Sequence, residues 1–169
     1  MALPSTPTRV CEPVVYATGS DEAVSIAHVP ELDVRRYEDV SLVLPTICLP
    51  DWTPASDLSL YTSIASNSGI DIVLETGGQL SLLLGNGTAI TTYTTNAAPG
   101  ADLPAWSPAK ITVTIDRSGN ATFYLDGAIL EAEDISAQET DDLIAGADHT
   151  VLDAAQGTRL GTSLLQTAS

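Results

Sequence analysis

Asp71 and Glu75 are the two carboxylates whose spacing most invites a catalytic reading. Ile70, Ile72 and Leu74 alternate with Asp71, Val73 and Glu75, so the two acids share one face of a strand. Glycoside hydrolysis needs two carboxyls about 5–9.5 Å apart across a cleft. Four residues of extended chain span about 13 Å, too far for that chemistry, and a solvated strand face accounts for the pair without it. His28 and His149 are the only histidines, and neither sits in a nucleophile motif. Gly85-Asn86-Gly87-Thr88 lacks the lysine of a phosphate-binding loop. Asn86-Gly87-Thr88 and Asn120-Ala121-Thr122 match the N-glycosylation sequon, but both fall in expected hairpin turns, where Asn is favoured anyway.

Residues suited to binding are more numerous. Between Ser118 and Thr158 there are nine acids and no Lys or Arg. Asp126 opens that stretch and Asp141-Asp142 is its densest point. Calcium takes six to eight oxygen ligands, which makes Asp126, Asp141 and Asp142 candidate ligands. The other reading is an acidic surface facing solvent or a partner, and no EF-hand spacing is present. No other cofactor is implied. Trp52 and Trp106 also have two readings. Each either packs in or against the core, or offers an aromatic face on which a sugar ring stacks. Cys11 and Cys48 form no CxxC pair, so one bridge or two free thiols both remain open.

These residues sit in a chain of 169, long enough for one domain with a real core. The composition is 44% hydrophobic and 17% charged, which is globular rather than disordered. Six basic against 22 acidic residues give a net charge of −16, and Lys110 is the single lysine. Such a chain is a poor ligand for nucleic acid or for anionic lipid. No apolar run reaches the length of a membrane span, and Met1–Thr8 lacks the regions of a signal peptide. Neither nucleic acid nor membrane is therefore expected as a partner.

The elements that must position these groups read as strands. Val40 and Leu42 alternate with Ser41 and Val43. Leu58, Leu60, Thr62 and Ile64 alternate with Ser59, Tyr61 and Ser63. Ile111, Val113 and Ile115 alternate with threonines, and Phe123 and Leu125 repeat the pattern. Gly77-Gly78, Gly85-Asn86-Gly87, Arg117-Ser118-Gly119-Asn120 and Asp126-Gly127 supply turns at the rhythm of an antiparallel sandwich. Ser136 to Ala147 contains helix-forming residues without an apolar stripe, which leaves helix and loop both open. Residues 1–13 contain Pro4, Pro7 and Pro13 and read as an extended N-terminal arm ahead of one domain over residues 14–169.

The run from Trp106 to Gly127 resembles the strand–turn–strand hairpin of laminin-G-like, concanavalin A-like jelly rolls. There an aromatic precedes an alternating strand, a Gly turn follows, and a second strand ends in Tyr-x-Asp-Gly, as Tyr124-Leu125-Asp126-Gly127 does here. Glu31-Leu32-Asp33-Val34, Val40–Val43 and Asp51–Ser56 look like the opening of such domains in tail proteins of actinobacterial phages, and Arg159-Leu160-Gly161 resembles the closing strand. The resemblance implies an all-β jelly-roll sandwich of two antiparallel sheets with an extended arm, in which a calcium ion often sits at the rim. The jelly-roll glucanase pattern of Glu-x-Asp-x-(x)-Glu is absent.

The expected function is a non-enzymatic structural or adhesion component of a phage virion, in the tail or decorating the capsid. A carbohydrate-binding module for cell-surface glycans is the alternative, and a glucanase-like hydrolase a weaker third. Expected partners are other virion proteins, a host glycan and further copies of the chain. Those copies are expected to meet through the arm, where Val10, Val14 and Val15 can add a strand to an open sheet edge.

Overall fold

The computed structural model describes residues 24–28, 30, 33–44, 46–151, 159–160 and 165–168. The arm of residues 1–13, which contains Val10 and Cys11, and the adjoining Val14 and Val15 lie outside the described residues. Along the described chain run β1 (Val24–Ile26), β2 (Val40–Val43), β3 (Ile47–Cys48), β4 (Leu58–Thr62), β5 (Ser68–Leu74), β6 (Leu80–Asn86) and β7 (Ile90–Thr94). The short helix α1 (Pro99–Asp102) separates these from β8 (Pro108–Ala109), β9 (Ile111–Ile115), β10 (Asn120–Leu125), β11 (Ala128–Asp134), β12 (His149–Val151), β13 (Arg159–Leu160) and β14 (Leu165–Ala168). One sheet has the order β1-β12-β4-β5-β6-β7 and faces a second of order β11-β10-β9-β2-β14, every pairing being antiparallel. The fold is the expected all-β jelly-roll sandwich, with one addition. A small third sheet, β13-β3-β8, lies alongside. Cys48 lies in it and forms no disulfide among the described residues.

The β9–β10 hairpin follows its alternation. Ala121 pairs with Ile115, Phe123 with Val113 and Leu125 with Ile111, which puts Phe123 and Val113 in the sealed core. The next turn is Asp126-Gly127, with φ values of 50° and 83°. Two successive positive φ angles match the right-handed twist of the flanking strands, and glycine takes the second without strain.

β4 departs from its expected register. Leu58 pairs with Leu74 and Ser59 with Val73, but Tyr61 pairs with Ile72, so Leu60 is an extra residue in a β-bulge. The bulge turns the rest of the strand over. Tyr61 and Ser63 face the core, whereas Thr62 and Ile64 do not. The stretch Ser136 to Ala147 is a single 3-10 turn, Ser136–Gln138, followed by loop. Its apolar anchors, Ile135 and Leu143, are eight residues apart and pin a loop rather than a helical stripe.

Leu42, Val113 and Phe123 from one sheet meet Leu60, Ile72 and Leu82 from the other in a single core. Glu131 on the edge strand β11 closes the open side. Its carboxylate accepts from the Asn96 N–H at 2.7 Å and the Ala97 N–H at 3.2 Å, in the loop that follows β7 on the facing sheet. The Asn96 side-chain amide first, and then these N–H groups, hold the Glu131 carboxyl below its ordinary range.

The two ends of the sandwich differ. The turn after β5, the loop from Leu49 to Asp57, α1, Trp106 and the Asp126-Gly127 turn gather at one end. The turns before β5, after β6 and after β9 gather at the other with residues 135–148. The outside of the five-stranded sheet is uncharged across its middle. Ile129, Tyr124, Thr112 and Val43 form one row of paired positions, and Ala132, Thr122, Thr114 and Ser41 the next.

Candidate functional site

Trp52 and Trp106 sit at the same end but in opposite environments. Trp52 is 2% exposed and Trp106 is 52% exposed. Trp52 is therefore a core residue and drops out as a stacking platform, whereas Trp106 presents its ring to solvent. Trp106 is held at φ 63°, a conformation that bulky residues rarely adopt, and its backbone N–H donates to the Leu49 carbonyl at 2.6 Å. Ser107 Oγ ties the same loop to the Pro104 carbonyl at 2.7 Å. An exposed aromatic on a fixed, strained loop is the kind of local outlier that clusters at binding sites.

Around Trp106 the charge is mainly negative. Asp51, Asp57, Asp102 and Asp126 are exposed at this end, as is Lys110, and Arg159 pairs with Cys48 beside Leu49. Asp51 accepts from the Thr53 N–H and hydroxyl at 2.8 Å each, and these bonds hold its carboxyl below the ordinary value. Asp126 accepts from the Lys110 backbone N–H at 2.8 Å.

The three carboxylates expected to share a calcium ion are not brought together. Asp126 lies at the Leu125 end of β10, while Asp141 and Asp142 lie beyond its Asn120 end. Asp141 accepts from Asn86 Nδ2 at 2.9 Å, and Asp142 pairs with Arg36 Nε at 3.2 Å. Among the described residues no three His, Cys, Asp or Glu side chains are arranged to hold a metal ion. Nor does the acidic stretch lack cations in space. Arg117 is fully buried and donates from Nη2 to the carbonyls of Gln138 and Asp141. Burial lowers its pKa, opposed by the carboxylates of Asp141, Asp142 and Asp39.

Asp71 and Glu75 project from the outside of the six-stranded sheet and are engaged by hydroxyls of neighbouring strands. Both Asp71 oxygens accept from Ser59 Oγ, at 2.8 and 2.9 Å. Glu75 accepts from Ser81 Oγ at 2.5 Å and Thr94 Oγ1 at 3.2 Å. Burial pushes the Asp71 carboxyl up to about 6, opposed by its bonds from Ser59, Thr62 and the Ile72 N–H. One raised carboxyl with its own hydroxyl partner, four residues from the other, is not an acid/base pair.

A second cluster escaped the sequence reading. Tyr61, His149, His28 and Asp33 form a chain of contacts at the opposite end from Trp106. The available signal was that both histidines lie close to an aspartate, as His28…Asp33 and Asp148-His149.

No family model and no curated protein matches the sequence. Solved structures do match in fold. The binding domain of botulinum neurotoxin serotype G superposes with a TM-score of 0.69 at 12% identity, covering 96% of this chain and 42% of its own. The binding domain of Paraclostridial Mosquitocidal Protein 1 gives 0.67 at 16% identity, covering 94% and 43%. The botulinum neurotoxin serotype D ligand-binding domain, solved in complex with N-acetylneuraminic acid, gives 0.61 at 12% identity, covering 94% and 42%. This chain thus spans about two fifths of the length of those chains. All three are described as binding domains, and at these identities the likeness is one of fold alone, an antiparallel β-sandwich.

Proposed function

We propose that this chain is a non-catalytic binding module that takes an uncharged glycan at the Trp106 end and serves in a phage virion, as a tail or capsid-decoration subunit. The observation that carries the binding role is Trp106, an indole half open to solvent on a backbone fixed at positive φ. A face of this kind stacks on the C–H surface of a sugar ring, and a pre-set loop loses little freedom on binding. The surrounding carboxylates select the ligand class. A sialylated or uronic sugar would approach four exposed aspartates, offset in part by Lys110 and by Arg159 on the β13–β3 pair, whereas a neutral hexose is indifferent to that field. The serotype D domain was solved with an anionic sugar, and the charge at this end argues for a different ligand here.

The virion setting is supported by the resemblance of the opening motifs, Glu31–Val34, Val40–Val43 and Asp51–Ser56, to such domains in phage tail proteins. The uncharged middle of the five-stranded sheet supports association with copies of the chain or with other virion proteins. A surface free of charge lets subunits of net charge −16 approach closely.

A glycan array followed by calorimetry on the hits tests the binding role. Neutral glycans bind the intact chain, Trp106→Ala loses at least tenfold in affinity, and Trp106→Phe retains most of it. An array without hits, or binding indifferent to Trp106→Ala, overturns the reading. Mass spectrometry of purified particles tests the virion role, which fails if the chain is absent from them.

A further inference from the structure

The β1–β12 corner is the thinnest part of the six-stranded sheet. β1 pairs with β12 through Val24↔Val151, Ser25↔Thr150 and Ile26↔His149, and β12 pairs with β4 through Thr150↔Thr62 and Val151↔Tyr61. So few ladder bonds leave the corner dependent on side chains. His149 is the central one. It is 3% exposed, its Nδ1 lies 2.7 Å from the Tyr61 hydroxyl, and its Nε2 has no hydrogen-bond partner. Its ring lies 6.0 Å from that of His28. His28 Nε2 meets Asp33 Oδ1 at 2.9 Å, and the His28 backbone N–H donates to Asp148 Oδ1 at 3.0 Å. Asp33 Oδ1 also accepts from the Ala145 N–H at 3.0 Å, so the cluster joins β1, β4, β12 and the loops before Val34 and β12.

A neutral imidazole fits this place and an imidazolium does not. In the imidazolium both ring nitrogens carry protons, so Nε2–H has no acceptor, Nδ1–H must donate to the Tyr61 hydroxyl, and a charge stands in a dry site facing His28. Four titratable groups face the ring: His28 from the segment after β1, Asp33 from the next loop, Asp148 from the loop just before β12, and Tyr61 from β4. Asp33 and Asp148 favour the charged ring, but both are bonded to His28. Burial pushes the Tyr61 phenol up to about 12, so it stays neutral throughout the range of interest. Burial first and His28 second hold His149 below its ordinary value of 6.5, and the two aspartates oppose them.

We propose that His149 is a proton-operated latch on the β1–β12 corner: the neutral ring holds β12 and β1 to the sheet, and protonation releases β1 and leaves β12 as an open edge. The direction follows from linkage. The folded corner binds fewer protons than the open one, so its stability is full above about pH 6.5 and is lost as the pH falls below it. An exposed edge strand is a template on which another strand can pair, so acid would convert a closed edge into an acceptor for a partner strand.

Proton and amide NMR on the full chain tests this. With two histidines, His28→Gln and His149→Gln assign the imidazole signals outright. In the intact chain, the amides of residues 24–26 and 149–151 should lose their sheet shifts together with the titration of His149, below pH 6.5, while β5 and β6 stay unchanged. In His149→Gln the corner should not respond to pH. If that variant fails to fold, His28→Gln decides, because removing the facing imidazole, which disfavours the charged form of His149, should move the opening to higher pH by at least half a unit. A corner unchanged from pH 7.5 to 4.5, an opening that persists in His149→Gln, or a midpoint unmoved by His28→Gln overturns the latch.

Discussion

Arg117 Nη2 donates to the backbone carbonyl of Asp141 at 2.6 Å, from the turn after β9 into the heart of the acidic loop. The same nitrogen donates to the carbonyl of Gln138. One buried guanidinium thus gathers two loop carbonyls, as a bound metal ion would. The melting temperature should therefore be the same in excess calcium and in chelator. Arg117→Ala should lower stability by about 2–6 kcal/mol, since each of the two carbonyls left unpaired costs roughly 1–3 kcal/mol. Thermal unfolding of both proteins in both buffers checks this, and a large calcium-dependent rise in the unaltered chain would show that an ion is bound.

Phe123 is sealed in the core and pairs with Val113, while the adjacent Tyr124 faces outward beside Thr112. Phe123→Ala should cost about 3–5 kcal/mol, as buried aromatic truncations do. Tyr124→Ala should cost much less. Urea unfolding of the two variants measures the contrast, and equal losses would mean that the hairpin register is shifted by one residue.

Asp71 has its carboxyl raised to about 6 by burial. The folded state holds that proton more tightly than the unfolded chain, whose value is near 3.8. Its contribution to stability is therefore full below about pH 4 and is lost as the pH rises through 6. Asp71→Asn should flatten that decline and be neutral or stabilising at pH 7. Denaturant midpoints from pH 4 to 7 check the slope. His149 bends the same curve the opposite way, so the two variants separate the effects.

The expected role of the N-terminal residues in assembly is open to direct test. Deleting residues 2–12 should weaken self-association in sedimentation and incorporation into particles, and association of the intact chain should tighten with added salt as the −16 charge is screened. Unaltered assembly would move the interface to another surface, the uncharged middle of the five-stranded sheet first among them.

Where local pattern decides the structure, the sequence was readable. Ile111 to Leu125 alternates cleanly and ends on Asp126-Gly127, so register, buried face and turn all followed. β4 was misread beyond Leu60, because a bulge is set by the packing of Tyr61 and Ser63 and leaves no mark in the alternation. The acidic loop looked devoid of cations because its partners are remote: Arg117 precedes Asp141 by 24 residues and Arg36 precedes Asp142 by 106. The bond from Tyr61 to His149 spans 88 residues. Trp52 and Trp106 were alike as residue types, and only the fold separates core from rim.

That separation gives the protein two built-in optical probes. Trp52 is enclosed by apolar side chains and its Nε1 finds no hydrogen-bond partner, so its fluorescence should lie toward the blue and resist a dissolved quencher. Trp106 stands in water, so its emission should lie toward the red and be quenched readily. Occupation of the exposed ring and loosening of the core would therefore alter different components of one emission spectrum, and a single unlabelled sample could follow both at once.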